Sequence, residues 1–145
     1  MPSLLWDQHT CLPLRYGTAV DPLVGYRRPG GAFVSVNAGY SPHGFAETMR
    51  LLTHFRAAVA GQPGLELAAT ADDVEAITGT GRIAVAFDLE DSAPLDDDLG
   101  NLTALAGLGV RTLLPTYNHA NRAGSGCLDA TDGGLTAWGR AIVGE

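Results

Sequence analysis

The run Ile83-Ala84-Val85-Ala86-Phe87-Asp88-Leu89-Glu90 most narrows what this chain can fold into. It is apolar at successive positions, not alternate ones, until Asp88 and Glu90 close it. A strand with one wet face alternates apolar with polar residues, whereas one that is apolar throughout has both faces covered, as in a parallel sheet between layers. Three other short apolar runs accompany it. Leu4-Leu5-Trp6 leads into the polar Asp7-Gln8-His9, Ala32-Phe33-Val34-Ser35-Val36-Asn37 is β-branched and closed by Gly39, and Val110-Arg111-Thr112-Leu113-Leu114 is the last.

Helical periodicity fills the intervals. Phe45, Met49, Leu52, Phe55 and Val59 fall on one stripe. Ser41 is placed to cap that helix, Pro42 suits its first turn, and Gly61 and Pro63 stop it. Thr70-Ala71-Asp72-Asp73 is a capping signature for a shorter helix through Val74 and Ile77. Asp96, Asp97 and Asp98 crowd the start of another, where the macrodipole favours negative charge. Its apolar face is Leu95, Leu99, Leu102, Leu105 and Leu108, and Gly109 ends it. A last helix begins near Leu135 and is still in progress at Glu145.

Strands alternating with helices predict parallel βα units, here about four. A complete (β/α)8 barrel needs about 250 residues. The 145 residues therefore predict an α/β domain over 1–145, either half a barrel or a small open sheet.

Composition narrows the function classes. With 46% hydrophobic and 17% charged residues the chain is globular and not disordered. A net charge of −7 gives no basic footprint for nucleic acid, and Arg27-Arg28 reads as a solvated loop. No apolar stretch approaches the roughly 20 residues of a membrane span. The first residues, Met1 to Asp7, have neither a basic region nor a long apolar run, so a secretory leader is not expected and the default location is cytoplasmic. In that compartment Cys11 and Cys127 are thiols.

Barrel chemistry sits at the C-terminal ends of the strands, which singles out three segments. In Asp7-Gln8-His9-Thr10-Cys11, an extended backbone points alternate residues the same way, so His9 and Cys11 can aim at one point. Both suit zinc. Taken alone, the pair reads sooner as a packed histidine and a buried structural thiol. Asp88-Leu89-Glu90-Asp91 gathers carboxylates that repel unless a cation or hydrogen-bond donors hold them, and a bridging carboxylate holds two metals close together. The other reading is a solvated loop or a helix cap. The third segment, Thr116-Tyr117-Asn118-His119-Ala120-Asn121-Arg122, is rich in donors and acceptors that could orient a substrate, or is an ordinary polar loop. His43 and His54 read as surface or capping residues.

Five pieces in register resemble the membrane (renal) dipeptidase family, the M19 metallopeptidases. They are Trp6 through Leu14, Ile83 through Glu90, Leu105 through Arg111, Thr116-Tyr117-Asn118, and Gly134 through Arg140. The resemblance runs from about Leu5 to the last residue. It implies the N-terminal half of a (β/α)8 barrel that holds two zinc ions and hydrolyses dipeptides by a metal-bridging hydroxide. In the family a first-strand His and Asp bind one metal and a third-strand Glu bridges both. His9 matches the His, Glu90 the bridging Glu, and Cys11 stands where the Asp would be, a form that resembles bacterial-type relatives. Tyr117 falls where the family places a substrate-orienting His, with Asn118 beside it in the pocket wall. The family's two later histidine ligands and its catalytic Asp would lie beyond Glu145.

These correspondences lead to three expectations. His9, Cys11 and Glu90 converge. The 145-residue chain alone is inactive. Its open side, with Ile83, Val85 and Phe87 partly wet, makes it associate with a missing half or with itself. Two other functions fit the departures: a non-catalytic truncated barrel acting as a binding module, and a metal-dependent amidohydrolase with another substrate.

Overall fold

Every apolar run becomes a strand in the computed structural model, which describes residues 3–144. These are β1 (Leu5–Thr10), β2 (Ala32–Asn37), β4 (Ile83–Leu89) and β5 (Val110–Leu113). Between them, β3 (Leu65–Leu67) is an unpredicted strand, too short for its three residues to show a period. Met1, Pro2 and Glu145 lie outside the described residues, and with them part of the leader reading and the expectation that the last helix is still in progress at Glu145.

All pairings are parallel. The order runs β1-β2-β4, and β3 and β5 share the remaining edge of β4. β3 lies along its first half, Leu65 beside Ile83, and β5 along its second, Leu89 beside Leu113. Parallel strands bring the ends of β1, β2, β4 and β5 to one rim.

Helix α1 (Phe45–Gly61) covers one face of the sheet. Its Leu52, Phe55 and Val59 are fully buried in a core with Val34, Val36, Ile83, Val85 and Phe87. Phe55 and Phe87 stack with ring centroids 6.3 Å apart. The other face carries Phe33, Ala84 and Ala86 beneath Val74 and Ile77 of α2 (Ala71–Gly79).

This division corrects the expectation that Ile83, Val85 and Phe87 are partly wet. They are 1%, 0% and 0% exposed. The period of two along β4 turns these odd positions under α1, and the even positions Ala84 and Ala86 to the face beneath α2. The apolar side chain that is wet there is Trp6, stacked on Phe33 at 4.1 Å yet 52% exposed.

The capping signature holds: the Thr70 hydroxyl accepts from Asp73 N, and the Asp73 carboxylate accepts from Thr70 N and Ala69 N. Ser41 does not cap α1. Gly44 is the N-cap, and Phe45 N donates instead to Asp96 Oδ2, from 51 residues away, at 3.0 Å.

The aspartate run accordingly divides: Asp96 serves α1, while Asp98 Oδ1 accepts from Gly100 N at 2.8 Å, at the start of the next helix. Leu95 closes a single turn, Asp96 and Asp97 take left-handed backbone (φ 45° and 63°), and α3 spans Gly100–Gly107. Helix α4 (Ala137–Gly144) starts two residues after Leu135. Among the described residues no helix is long and apolar enough to cross a membrane.

Candidate metal centre

Three of the predicted residues meet at the rim. His9, near the end of β1, Cys11 just past it, and Glu90 just past β4 each offer a ligand atom, all within 4.8 Å of one another. His9 Nε2 lies 3.5 Å from Cys11 Sγ and 3.7 Å from Glu90 Oε1. The register of β1 on β2 shifts between Asp7 and Thr10, and His9 N donates to the Asp7 carboxylate at this irregularity. Both Cys11 and His9 are exposed, so neither fits the packed-histidine, buried-thiol alternative.

The other groups around this cluster come from β2 and β4. Asp88 Oδ1 lies 2.7 Å from His9 Nδ1, and its Oδ2 accepts from Ser35 Oγ at 2.7 Å. Glu90 Oε2 accepts from Asn37 Nδ2 at 2.8 Å, while Asn37 Oδ1 accepts from Gly39 N and so fixes which way that amide points. The three carboxylates of the 88–91 segment therefore have three tasks. Asp88 faces the imidazole and Glu90 faces the cluster. Asp91 turns away, accepting from Ser41 N and Ala93 N to hold the loops together.

Burial pushes the Asp88 carboxyl up, and its bonds to Ser35 and His9 oppose this. Burial, followed by the negative charge of Glu90, pushes the Cys11 thiol up. A thiolate beside the Glu90 carboxylate is disfavoured by like charge, and a cation placed between them reverses that preference by deprotonating the thiol.

Tyr117 shares a cleft of about 370 Å³ with Gln8, His9, Asp88 and Glu90. Asn118 does not line it. It lines an adjoining cleft of about 300 Å³, which Tyr117 also lines, together with Tyr40, Ser41, Asp91 and Asn121. His43 and His54 stay away from the cluster, each within hydrogen-bond distance of a backbone carbonyl, of Tyr40 and Thr18 respectively. Ser35 and Asn37 escape sequence reasoning, because only the β2–β4 register, with Asn37 beside Asp88, makes them neighbours of the cluster.

The fold has solved counterparts. An amidohydrolase from Pseudomonas aeruginosa superposes with a TM-score of 0.80 at 22% identity, covering 98% of this chain and 42% of that one. The probable dipeptidase PvdM from Pseudomonas aeruginosa gives 0.76 at 22% identity, covering 98% and 44%. A metallo peptidase from Rhodobacter sphaeroides, liganded with a phosphinate mimic of the dipeptide L-Ala-D-Ala, gives 0.75 at 18% identity, covering 98% and 55%. The chain thus spans about half the length of these structures, and its parallel sheet is a partial (β/α)8 barrel. No curated protein matches the chain significantly. Residues 30–145 match the sequence model of membrane dipeptidase, peptidase family M19, and the chain belongs to that family.

Proposed function

We propose that this chain forms one side of the metal centre of a zinc-dependent dipeptidase, with His9, Cys11 and Glu90 as ligands. The carrying observation is spacing. Ligands about 2.0–2.3 Å from a tetrahedral zinc stand roughly 3.3–3.6 Å apart. The 3.5 and 3.7 Å separations of Cys11 and Glu90 from His9 Nε2 are close to this edge length. An imidazole nitrogen, a thiolate and a carboxylate are also a donor set that suits zinc.

Each residue then has a defined task. His9 Nε2 and Cys11 Sγ bind on the β1 side, and Glu90 Oε1 binds from β4. Glu90 Oε2 keeps a second lone pair beside its bond to Asn37, so this carboxylate would retain the capacity to serve a second ion. Bound metal lowers the pKa of water and polarises a carbonyl oxygen. Tyr117, in the same cleft, is placed to donate a hydrogen bond to the oxygen that gains negative charge. Asn118, lining the adjoining cleft, is placed to reach the far end of a short substrate. The dipeptide mimic on the Rhodobacter sphaeroides relative supports the substrate class. Three ligands do not complete two zinc sites, so residues 1–145 alone bind zinc without hydrolysing dipeptides.

Thiol alkylation with and without zinc tests the ligand set. Zinc should slow alkylation of Cys11 and leave Cys127, exposed and outside the cluster, as the internal control. Equal rates at Cys11 would remove it from the ligand set. Failure of the barrel-complete, zinc-loaded protein to hydrolyse any dipeptide would remove the dipeptidase reading.

A further inference from the structure

An imidazole on an open strand end can present either nitrogen, and the His9 side chain is 42% exposed. Packing does not decide which nitrogen faces Cys11 and Glu90. Asp88 is different: it is 4% exposed, at the penultimate position of β4, and both its oxygens are engaged. Oδ2 accepts from Ser35 Oγ, and Oδ1 lies 2.7 Å from His9 Nδ1.

Burying a carboxylate is costly unless its partners compensate. A residue serving only the sheet would be apolar here, as Ala84 and Ala86 are on the same face. With Nδ1 held by Asp88, Nε2 is turned towards Cys11 Sγ at 3.5 Å and Glu90 Oε1 at 3.7 Å.

We propose that Asp88, braced by Ser35, is a positioning residue that keeps His9 as the Nδ1–H tautomer and so aims Nε2 at Cys11 and Glu90. The inference deepens the metal-centre reading and rests on it for its consequence, though not for its geometry. The chain of contacts runs Ser35 on β2, Asp88 on β4, His9 on β1, so the central strands set the ring angle of an edge-strand ligand. A carboxylate holding a ligand imidazole fixes the tautomer and raises the basicity of the other nitrogen. None of the three proposed ligands needs to touch Ser35 for its loss to be felt.

Two measurements on the full chain test this. In the metal-free protein, ring-nitrogen chemical shifts of the neutral imidazole report the tautomer. His9 should be Nδ1–H in the parent and in Asp88→Asn, whose carboxamide oxygen still accepts, and a tautomer mixture in Asp88→Ala. Zinc affinity by chelator competition should fall about 10–100-fold in Asp88→Ala, less in Asp88→Asn, and in the same direction in Ser35→Ala. Ser35→Ala leaves every proposed ligand and Asp88 in place, so it keeps the test open if Asp88→Ala fails to fold. An Nε2–H tautomer in the parent overturns the proposal. So does a Ser35→Ala or Asp88→Ala protein that folds and binds zinc as tightly as the parent. A parent that binds no zinc defeats the metal reading alone, and the tautomer measurement still decides the positioning.

Discussion

Cys11 is the residue whose chemistry most distinguishes this site from the family pattern that the sequence resembles. A thiolate is softer than the carboxylate it stands for and favours soft ions. Cys11→Asp should therefore still bind metal, but its preference should shift from cadmium and zinc toward harder divalent ions such as manganese, read by competition titration. An unchanged order of affinities would mean that Sγ is not a ligand. The convergence of His9, Cys11 and Glu90 was legible through the family resemblance, since the residue pattern alone also described a packed histidine, a buried thiol and a solvated loop. Ser35 and Asn37 were not, since a serine and an asparagine in Ala32–Asn37 look like ordinary interruptions. Their partners lie 53 residues away across a strand register that no local pattern encodes. Asp88 was visible as a carboxylate, but its task depends on where the β1 imidazole ends up.

At the scale of elements, signals that act over three or four residues survive folding, and those satisfied from elsewhere do not. The Thr70–Asp73 box is local, and it forms as read. Backbone N–H groups of Ala69 and Thr70, with the Thr70 hydroxyl, hold the Asp73 carboxyl below its ordinary value. A depressed carboxyl stabilises the fold at pH above its unfolded value, about 3.9 for Asp, and that contribution is lost as pH falls through the lower folded value. Asp73→Asn should accordingly melt below the parent near neutral pH, with the gap closing as pH drops below about 4. A gap that persists in acid would assign the effect to shape and not charge. Helix α1 shows the opposite case: its first free N–H is met by Asp96, across the sheet's rim, and Ser41 was a plausible local cap that the fold does not use. β3 was illegible for a different reason. Three residues carry no period, and its pairing with β4 follows only after α1 has returned the chain to the sheet.

For the molecule as a whole, the partial barrel was legible in the alternation of runs and stripes, and its wet surface was assigned to the wrong residues. Among the apolar groups left in water, Leu4 at 41%, Trp6 at 52% and Leu114 at 45% lie on or beside the β1 and β5 strands. Unpaired strand edges beside exposed apolar side chains invite another chain. Light scattering on residues 1–145 should give a mass above one chain, reduced by Trp6→Gln. A cooperative monomer would show that these edges are protected. The uneven support of the strands has a kinetic consequence. β4 is buried at all seven positions and paired along both edges, whereas β1 is held along one edge only. The proposed ligands are divided between the two, with His9 and Cys11 on the part that frays first and Glu90 on the part that opens last. Zinc would then act as a clasp, fastening a loose margin to a rigid centre. Amide exchange should slow in residues 5–11 on adding zinc and hardly change in residues 83–89. Equal slowing in both, or in neither, would mean that no such fastening occurs.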